Sequence, residues 1–288
     1  MTIHRTPANW ITLLALLAAS LMLAGCGDDD PISPNDTYAT ADEDAAGVVA
    51  TEIATDNGGM TDQIADLSSA VGGLDVDKAL PGPRFQNAVY DETTGTWTLT
   101  VERERGDSEG TPYAAISRVY TLRFLYIGGQ PQQYRIVGSD TARTVEFNIV
   151  SGTGTHRTRR FEQNLDALSA DFTVTGVNTN LLTINGTYSR DASNRFETPR
   201  FVRTLTGAFD AELIDVTVPR GAGHDFSQAV SGTLSGTYVA DITVERGEDY
   251  VERHIDRSFT ITFGAGEATI NMNGQHYGAH MNNGELND

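Results

Sequence analysis

Between Val230 and Val244 the even positions read Val, Gly, Leu, Gly, Tyr, Ala, Ile and Val, while the odd positions read Ser, Thr, Ser, Thr, Val, Asp and Thr. A period of two sends alternate side chains to opposite sides of a pleated strand, so this stretch is a strand with one packed and one polar face. Fifteen residues at about 3.3 Å each would extend about 50 Å. That length predicts a bend or bulge near Gly232 or Gly236. The same period holds from about Gln86 onward: Trp97, Leu99 and Val101 alternate with Thr96, Thr98 and Thr100, and Ile116, Tyr120, Leu122, Phe124 and Tyr126 share a face. Turn residues punctuate these runs at hairpin distances, as in Thr93-Thr94-Gly95, Gly152-Thr153-Gly154 and Gly247-Glu248-Asp249. The expected fold is therefore mainly β. It is a long antiparallel meander of about 10 to 13 strands, forming a curved sheet, an open barrel or a sandwich. Within it, Phe161 to Ala170 reads either as one helical turn or as a bend.

The period is different before Gln86. Thr40-Ala41-Asp42-Glu43 fits a capping box, predicting a helix from about Ala41 to Thr55 that stops at Asn57-Gly58-Gly59. Met60, Ile64, Leu67 and Val71 then recur on one helical face up to Gly72-Gly73. A short helical hairpin should precede the sheet, with this stripe as its packed face. Four segments follow: 1–25 as a signal peptide, 26–39 as an acidic tether, 40–80 as the helical segment and 81–288 as the β domain.

The first segment begins with His4 and Arg5, continues through an apolar run from Ile11 to Leu23, and ends in Leu23-Ala24-Gly25-Cys26. The run is short for a membrane span and reads as a signal peptide. Its last four residues resemble the lipobox of bacterial lipoproteins. That resemblance implies cleavage before Cys26, acylation of its thiol and new amino group, and a protein held on the membrane by a lipid anchor rather than spanning it. Cys26 is the only cysteine, so no disulfide is available to it in an exported protein. Gly27 after the cysteine, by analogy with lipoprotein sorting, favours the outer membrane. The triplet Asp28-Asp29-Asp30 resembles a surface-export signal, and reads equally as a solvated tether.

The whole chain carries a formal charge of −19, with Asp+Glu 39 against Lys+Arg 20. Such a balance excludes a nucleic-acid partner, which requires a basic footprint. Neither Asp42-Glu43-Asp44 nor Asp75-Val76-Asp77 matches a calcium-loop pattern. His276 and His280 stand four apart and, with His254 or Glu285, are the weak candidates for a metal site, in a glycine- and asparagine-rich stretch that reads as a frayed terminus. No G-x-S-x-G, P-loop or G-x-G-x-x-G is present, and His224 has no spacing relation to a serine. No cofactor is expected. Arg157, Arg159 and Arg160 form the only positive cluster, suited either to a lipid phosphate or sugar acid, or to cross-strand pairing with acids. Ile184-Asn185-Gly186-Thr187-Tyr188, Leu205-Thr206-Gly207-Ala208-Phe209 and Leu234-Ser235-Gly236-Thr237-Tyr238 share one form, in which glycine leaves room for a neighbouring ring.

Three functional readings remain. The first is a lipid-anchored envelope or cell-surface β protein without catalysis, with a binding, structural or interaction role and an envelope protein, glycan or lipid as partner. The second is a carrier whose concave sheet holds an apolar ligand against Leu122, Phe124, Phe259 and Phe263. The third is an extracellular hydrolase with dispersed carboxylates.

Overall fold

The computed structural model describes residues 36–74, 85–221, 231–264 and 266–287. Cys26, the signal region and His224 lie outside the described residues. The chain divides into a segment ending at Thr40 and a compact unit, Ala41–Asp288.

Two helices come first, α1 (Asp36–Ile53) and α2 (Met60–Gly73). α1 starts four residues before Thr40. The expected capping box therefore sits inside the helix, and the tether read as ending at residue 39 is helical from Asp36. Between the helices, Gly58 adopts a positive φ of 64°, and the Gly59 amide closes back on the Ala54 carbonyl (2.8 Å). The Thr61 hydroxyl also donates to the Ile53 carbonyl (2.6 Å), satisfying an orphan acceptor at the end of α1.

From Asn87 the chain is a meander, as the alternation requires. Its strands are β1 (Asn87–Asp91), β2 (Thr96–Gly106), β3 (Tyr113–Leu125), β4 (Pro131–Gln132), β5 (Ile136–Val137), β6 (Asp140–Thr141) and β7 (Thr144–Arg157). They continue as β8 (Phe161–Thr175), β9 (Leu181–Glu197), β10 (Val202–Pro219), β11 (Ser231–Arg246), β12 (Asp249–Gly264), β13 (Glu267–Met272) and β14 (Gln275–His280). One antiparallel sheet runs β1-β2-β3-β7-β8-β9-β10-β11-β12-β13-β14, with β4 against β3. β5 and β6 make a separate ribbon. The sheet does not close, so the open form is the one observed. Phe161 to Ala170 belongs to β8, and the ambiguity there resolves as a bulge between Leu165 and Ala167. The bulge expected near Gly232 lies on the neighbouring strand, between Ile214 and Thr217 of β10, and Gly232 (φ 123°) faces it.

Eleven strands about 4.8 Å apart would make a flat sheet about 48 Å wide, whereas two helices side by side cover about 20 Å. Yet inner-face residues from β2 to β13 form a single apolar cluster with Val49, Ile53, Ile64 and Leu67 of the helices. The sheet must therefore curl around the hairpin. α2 shows the result, since eleven of its residues are buried, including Thr61, Gln63 and Ser68 on the flanks of the Met60-Ile64-Leu67-Val71 stripe and Asp62 and Asp66 on the side away from it. The chain end closes the assembly. Met281 and Asn282 carbonyls accept the Thr55 and Asp56 amides (3.0 and 2.8 Å), so the segment expected to fray is docked on the hairpin loop.

Candidate interaction surface

Registered pairing places Arg190, Phe209, Tyr238 and Arg257 in one row across β9 to β12. Arg118 lies on the same inner face of β3, opposite Gly152 of β7. Each of these three arginines meets a carboxylate of the hairpin. Arg118 Nη1 donates to Asp62 Oδ2 (2.6 Å) and Asp66 Oδ2 (3.2 Å), Arg190 Nε contacts Glu52 Oε2, and Arg257 Nε donates to Asp42 Oδ1 (2.5 Å). Asp42 and Glu52 are ten residues apart, about 15 Å along a helix, and three strand spacings are about 14 Å. α1 thus lies across the strands along this row. The Gly58 carbonyl between the helices accepts from Arg118 Nη2 (3.1 Å), Arg190 Nη1 (3.0 Å) and Gln63 Nε2 (2.7 Å), and the Tyr120 hydroxyl donates to Asp66 Oδ2 (2.6 Å).

The environment of this network acts on its titratable groups in opposing ways. Burial alone would lower the Arg118 pKa, but Tyr120, Asp62 and Asp66 raise it and keep the guanidinium charged. Burial pushes Glu52 up against the pull of Arg190, and pushes Tyr120 well above the usual phenol range. A buried ion network adds little net stability over apolar packing. Its members are costly to separate, however, so it fixes where the hairpin sits.

The row divides the inner face. On the proximal side, toward the turns at 92–95 and 176–180, the face is apolar and covered. Leu122 and Phe124 are 0% exposed, and Phe259 and Phe263 are 3% and 4% exposed. These four residues, expected to line a ligand face, are instead core side chains in one cluster with the hairpin. On the distal side, exposure rises toward the hairpin tips. Along β11 it goes from buried Tyr238 and Ile242 to half-buried Val244 and exposed Arg246; along β12, from buried Ile255 to half-buried Arg253 and exposed Val251. Arg103, Arg105, Arg203, Arg246 and Arg253 all occupy inner-face positions here. The outer face over the same stretch carries Glu102, Glu104, Asp191, Asp241, Glu245 and Glu252. Two buried atoms on the inner side, Tyr238 Oη and Asn194 Oδ1, have no hydrogen-bond partner among the described residues. The Tyr238 ring lies over Gly207, where a Cβ would stand 2.8 Å from Oη. Of the three similar glycine motifs, this one accommodates a neighbouring ring; Gly186 and Gly236 instead meet adjacent backbone.

At the distal end two turns repeat one another. Thr158-Arg159-Arg160-Phe161 joins β7 to β8, and Thr198-Pro199-Arg200-Phe201 joins β9 to β10. In both, the threonine amide donates to the phenylalanine carbonyl (2.7 and 2.9 Å), and the phenylalanine amide donates to the threonine hydroxyl (3.2 and 3.1 Å). The turns are neighbours, because the Glu197 amide donates to the Arg160 carbonyl (2.8 Å). Phe161 pairs in register with Phe196, whose ring lies 5.7 Å from that of Phe201. All three rings are half-buried, whereas Arg159, Arg160 and Arg200 are exposed and form no ion pair among the described residues. Arg157, expected to act with Arg159 and Arg160, makes contacts of its own. It is near its cross-strand partner Glu162 (3.9 Å), donates to the Ser108 carbonyl (3.1 Å) and stacks over Tyr113.

His276 and His280 sit at opposite ends of β14, both exposed. Four residues along a strand separate them by about 13 Å, too far to share an ion with ligand bonds of about 2 Å. His254 lies on the outer face and bonds Asp241 (2.7 Å). No group of three metal-ligating side chains is found among the described residues. The outer face carries a shallow depression of about 570 Å³ lined by Ser169, Asp171, Ser189, Asp210, Glu212 and Thr237, among others.

Comparison with protein-family models, with curated proteins and with solved structures finds no match.

Proposed function

We propose that this chain is a lipid-anchored envelope protein that acts by binding rather than by catalysis, held through Cys26 at the outer membrane and presenting the distal end of its sheet to a partner. The lipobox resemblance supports the anchor, and two or three acyl chains at about 0.8 kcal/mol per buried methylene make such an anchor stable. The observation that carries the binding role is the contrast within the inner face. Along the row Arg118, Arg190 and Arg257 are each matched by a hairpin carboxylate, as is Arg103 just beyond it (3.6 Å from Asp66), whereas farther out Arg105, Arg246 and Arg253 hold inner-face positions near Ala114, Val251 and Ile242 without an ion-pair partner among the described residues. Arginines interleaved with apolar side chains are a common composition for a contact surface. Membrane fractionation with mass spectrometry of the N-terminal peptide tests the anchor. The peptide beginning at Cys26 should be acylated, and Cys26→Ser should move the protein to the soluble fraction. Native mass spectrometry of detergent-extracted protein tests the binding role. A co-purifying species should be present and should be lost in Arg246→Gln/Arg253→Gln; its absence from both preparations would remove the reading.

The outer depression favours one alternative. Asp171 and Glu212 face the same way on β8 and β10, flanking Thr187 on β9. Two strand spacings put them about 9.6 Å apart, just past the upper end of the roughly 6.5–9.5 Å separation used by inverting glycoside hydrolases, so a small lean of the side chains toward each other would bring them into it. Release of reducing sugar from envelope or extracellular glycans, abolished by Asp171→Asn and by Glu212→Gln, would establish a hydrolase instead.

A further inference from the structure

We infer that the paired turns Thr158–Phe161 and Thr198–Phe201 are a docking patch for a lipid surface bearing anionic phosphate headgroups. This names the partner of the distal end and rests on the binding role proposed above.

Four observations carry the assignment. First, the turns are alike in sequence and in hydrogen bonding, and are tied to each other through Glu197 and Arg160. Their spacing and orientation are therefore fixed by main chain rather than by mobile side chains. Second, Arg159, Arg160 and Arg200 are exposed and have no ion-pair partner among the described residues, in a chain whose formal charge is −19. Arg123, Arg195 and Arg257, by contrast, each meet a carboxylate. Third, half-buried Phe161 and Phe201 close the same two turns, and Phe196 pairs with Phe161 and lies 5.7 Å from Phe201. Aromatic rings beside arginines suit the boundary between headgroups and acyl chains, where the ring enters the apolar layer and the guanidinium binds phosphate, often by two parallel hydrogen bonds. Fourth, the acidic outer face and the neighbouring distal tips bearing exposed Asp107, Glu109, Glu248 and Asp249 would be repelled by an anionic bilayer, which leaves the two arginine-bearing turns as the part of the distal end that can meet it.

The test uses the full mature chain with Cys26→Ser, so that no acyl chain holds it to the membrane. Sedimentation with vesicles of equal phosphatidylglycerol and phosphatidylcholine is compared with sedimentation with phosphatidylcholine alone. The expected result is binding to the anionic vesicles only, reduced at least tenfold in Arg159→Gln/Arg160→Gln/Arg200→Gln and by 0.5 M salt, with the thermal midpoint unchanged. Phe201→Ala supplies a second variant and should weaken binding without changing its salt dependence. No sedimentation with anionic vesicles, equal binding to both vesicle types, or full binding by the triple arginine variant would each overturn the assignment. So would competition by millimolar inorganic phosphate, which would indicate a site for the free ion. If the vesicle assay fails while native mass spectrometry still finds a passenger sensitive to Arg246 and Arg253, the lipid-surface assignment falls and the binding role stands.

Discussion

Both halves of the inner sheet face are made by the same strands with the same alternation, yet they treat charge differently. Beneath the hairpin, Arg118 is 1% exposed and Arg190 is 3% exposed, and each meets a helix carboxylate. Beyond the hairpin, Arg246 is exposed and Arg253 half-buried, without an ion-pair partner among the described residues. An unpaired buried charge costs several kcal/mol, whereas an exposed one costs little. Arginine is thus tolerated inside this sheet only where α1 and α2 bring Asp42, Glu52, Asp62 and Asp66 to meet it. Where the helices end, it survives only at positions open to water or to a partner. The row arginines locate the hairpin, Arg103 reaches Asp66 of α2 (3.6 Å), and Arg105, Arg246 and Arg253 remain available for contact.

The largest expected effect breaks the proximal half. Arg118→Leu removes the fully buried guanidinium that meets both Asp62 and Asp66, leaving Arg103 at 3.6 Å from Asp66 as a more exposed counter-charge, and should cost about 3 to 5 kcal/mol in urea unfolding. The distal control Arg200→Gln should stay within about 0.5 kcal/mol of the parent. A loss below about 1 kcal/mol for Arg118→Leu would mean that the helices are positioned by apolar packing alone.

A smaller effect sharpens the boundary between the halves, using two buried tyrosines. Tyr120 gives its hydroxyl to Asp66 on the proximal side, so Tyr120→Phe should cost about 1.5 to 3 kcal/mol, as befits a hydrogen bond to a charged acceptor. Tyr238 Oη lies at the boundary without a partner among the described residues. Tyr238→Phe removes a buried hydroxyl that gains nothing, and should be neutral within about 0.5 kcal/mol or stabilising. Equal losses at the two positions would show that Tyr238 is hydrogen-bonded in solution.

Much of this architecture can be read from the sequence, because periodicity reports directly on which face is packed. The meander, the helical hairpin and the Met60-Ile64-Leu67-Val71 stripe follow from it, and a break near Gly232 follows from strand length. The charged row was less legible, although a signal exists. Arg118 falls between Ile116 and Tyr120 in the inward set of β3, Arg190 follows Tyr188 in that of β9, and Arg257 precedes Phe259 in that of β12. A charge in the apolar phase of a strand announces a buried partner without saying where that partner is. The carboxylates stand 52 to 215 residues away along the chain, and only the curl of the sheet brings them together. For the same reason nothing in the stripe Met60-Ile64-Leu67-Val71 marks Asp62 and Asp66 of α2 as enclosed. The paired Thr-x-Arg-Phe turns are visible as a short repeat forty residues apart, but their adjacency depends on β8 and β9 pairing.

The smallest effect concerns the end of the row where the two halves meet solvent. Burial alone would raise the pKa of Asp42, but hydrogen bonds from Arg257 and Asn273, with the Arg257 charge, bring it below the ordinary aspartate value of 3.8. A carboxylate whose pKa is lower in the folded state binds fewer protons there than in the unfolded chain. Its stabilisation is therefore complete at pH values above 3.8 and is lost as pH falls through the folded value. Because Asp42 and Arg257 are partly exposed, the pair is worth about 1 kcal/mol rather than the cost of the Arg118 network. Asp42→Asn should accordingly lower the urea midpoint at pH 7 by an amount equivalent to about 1 kcal/mol, with the difference between variant and parent shrinking as the pH is taken below the ordinary aspartate value of 3.8. A difference that persists undiminished at acid pH would assign the contribution of Asp42 to packing at the edge of the sheet, and would leave Glu52 as the residue that anchors α1 to the arginine row.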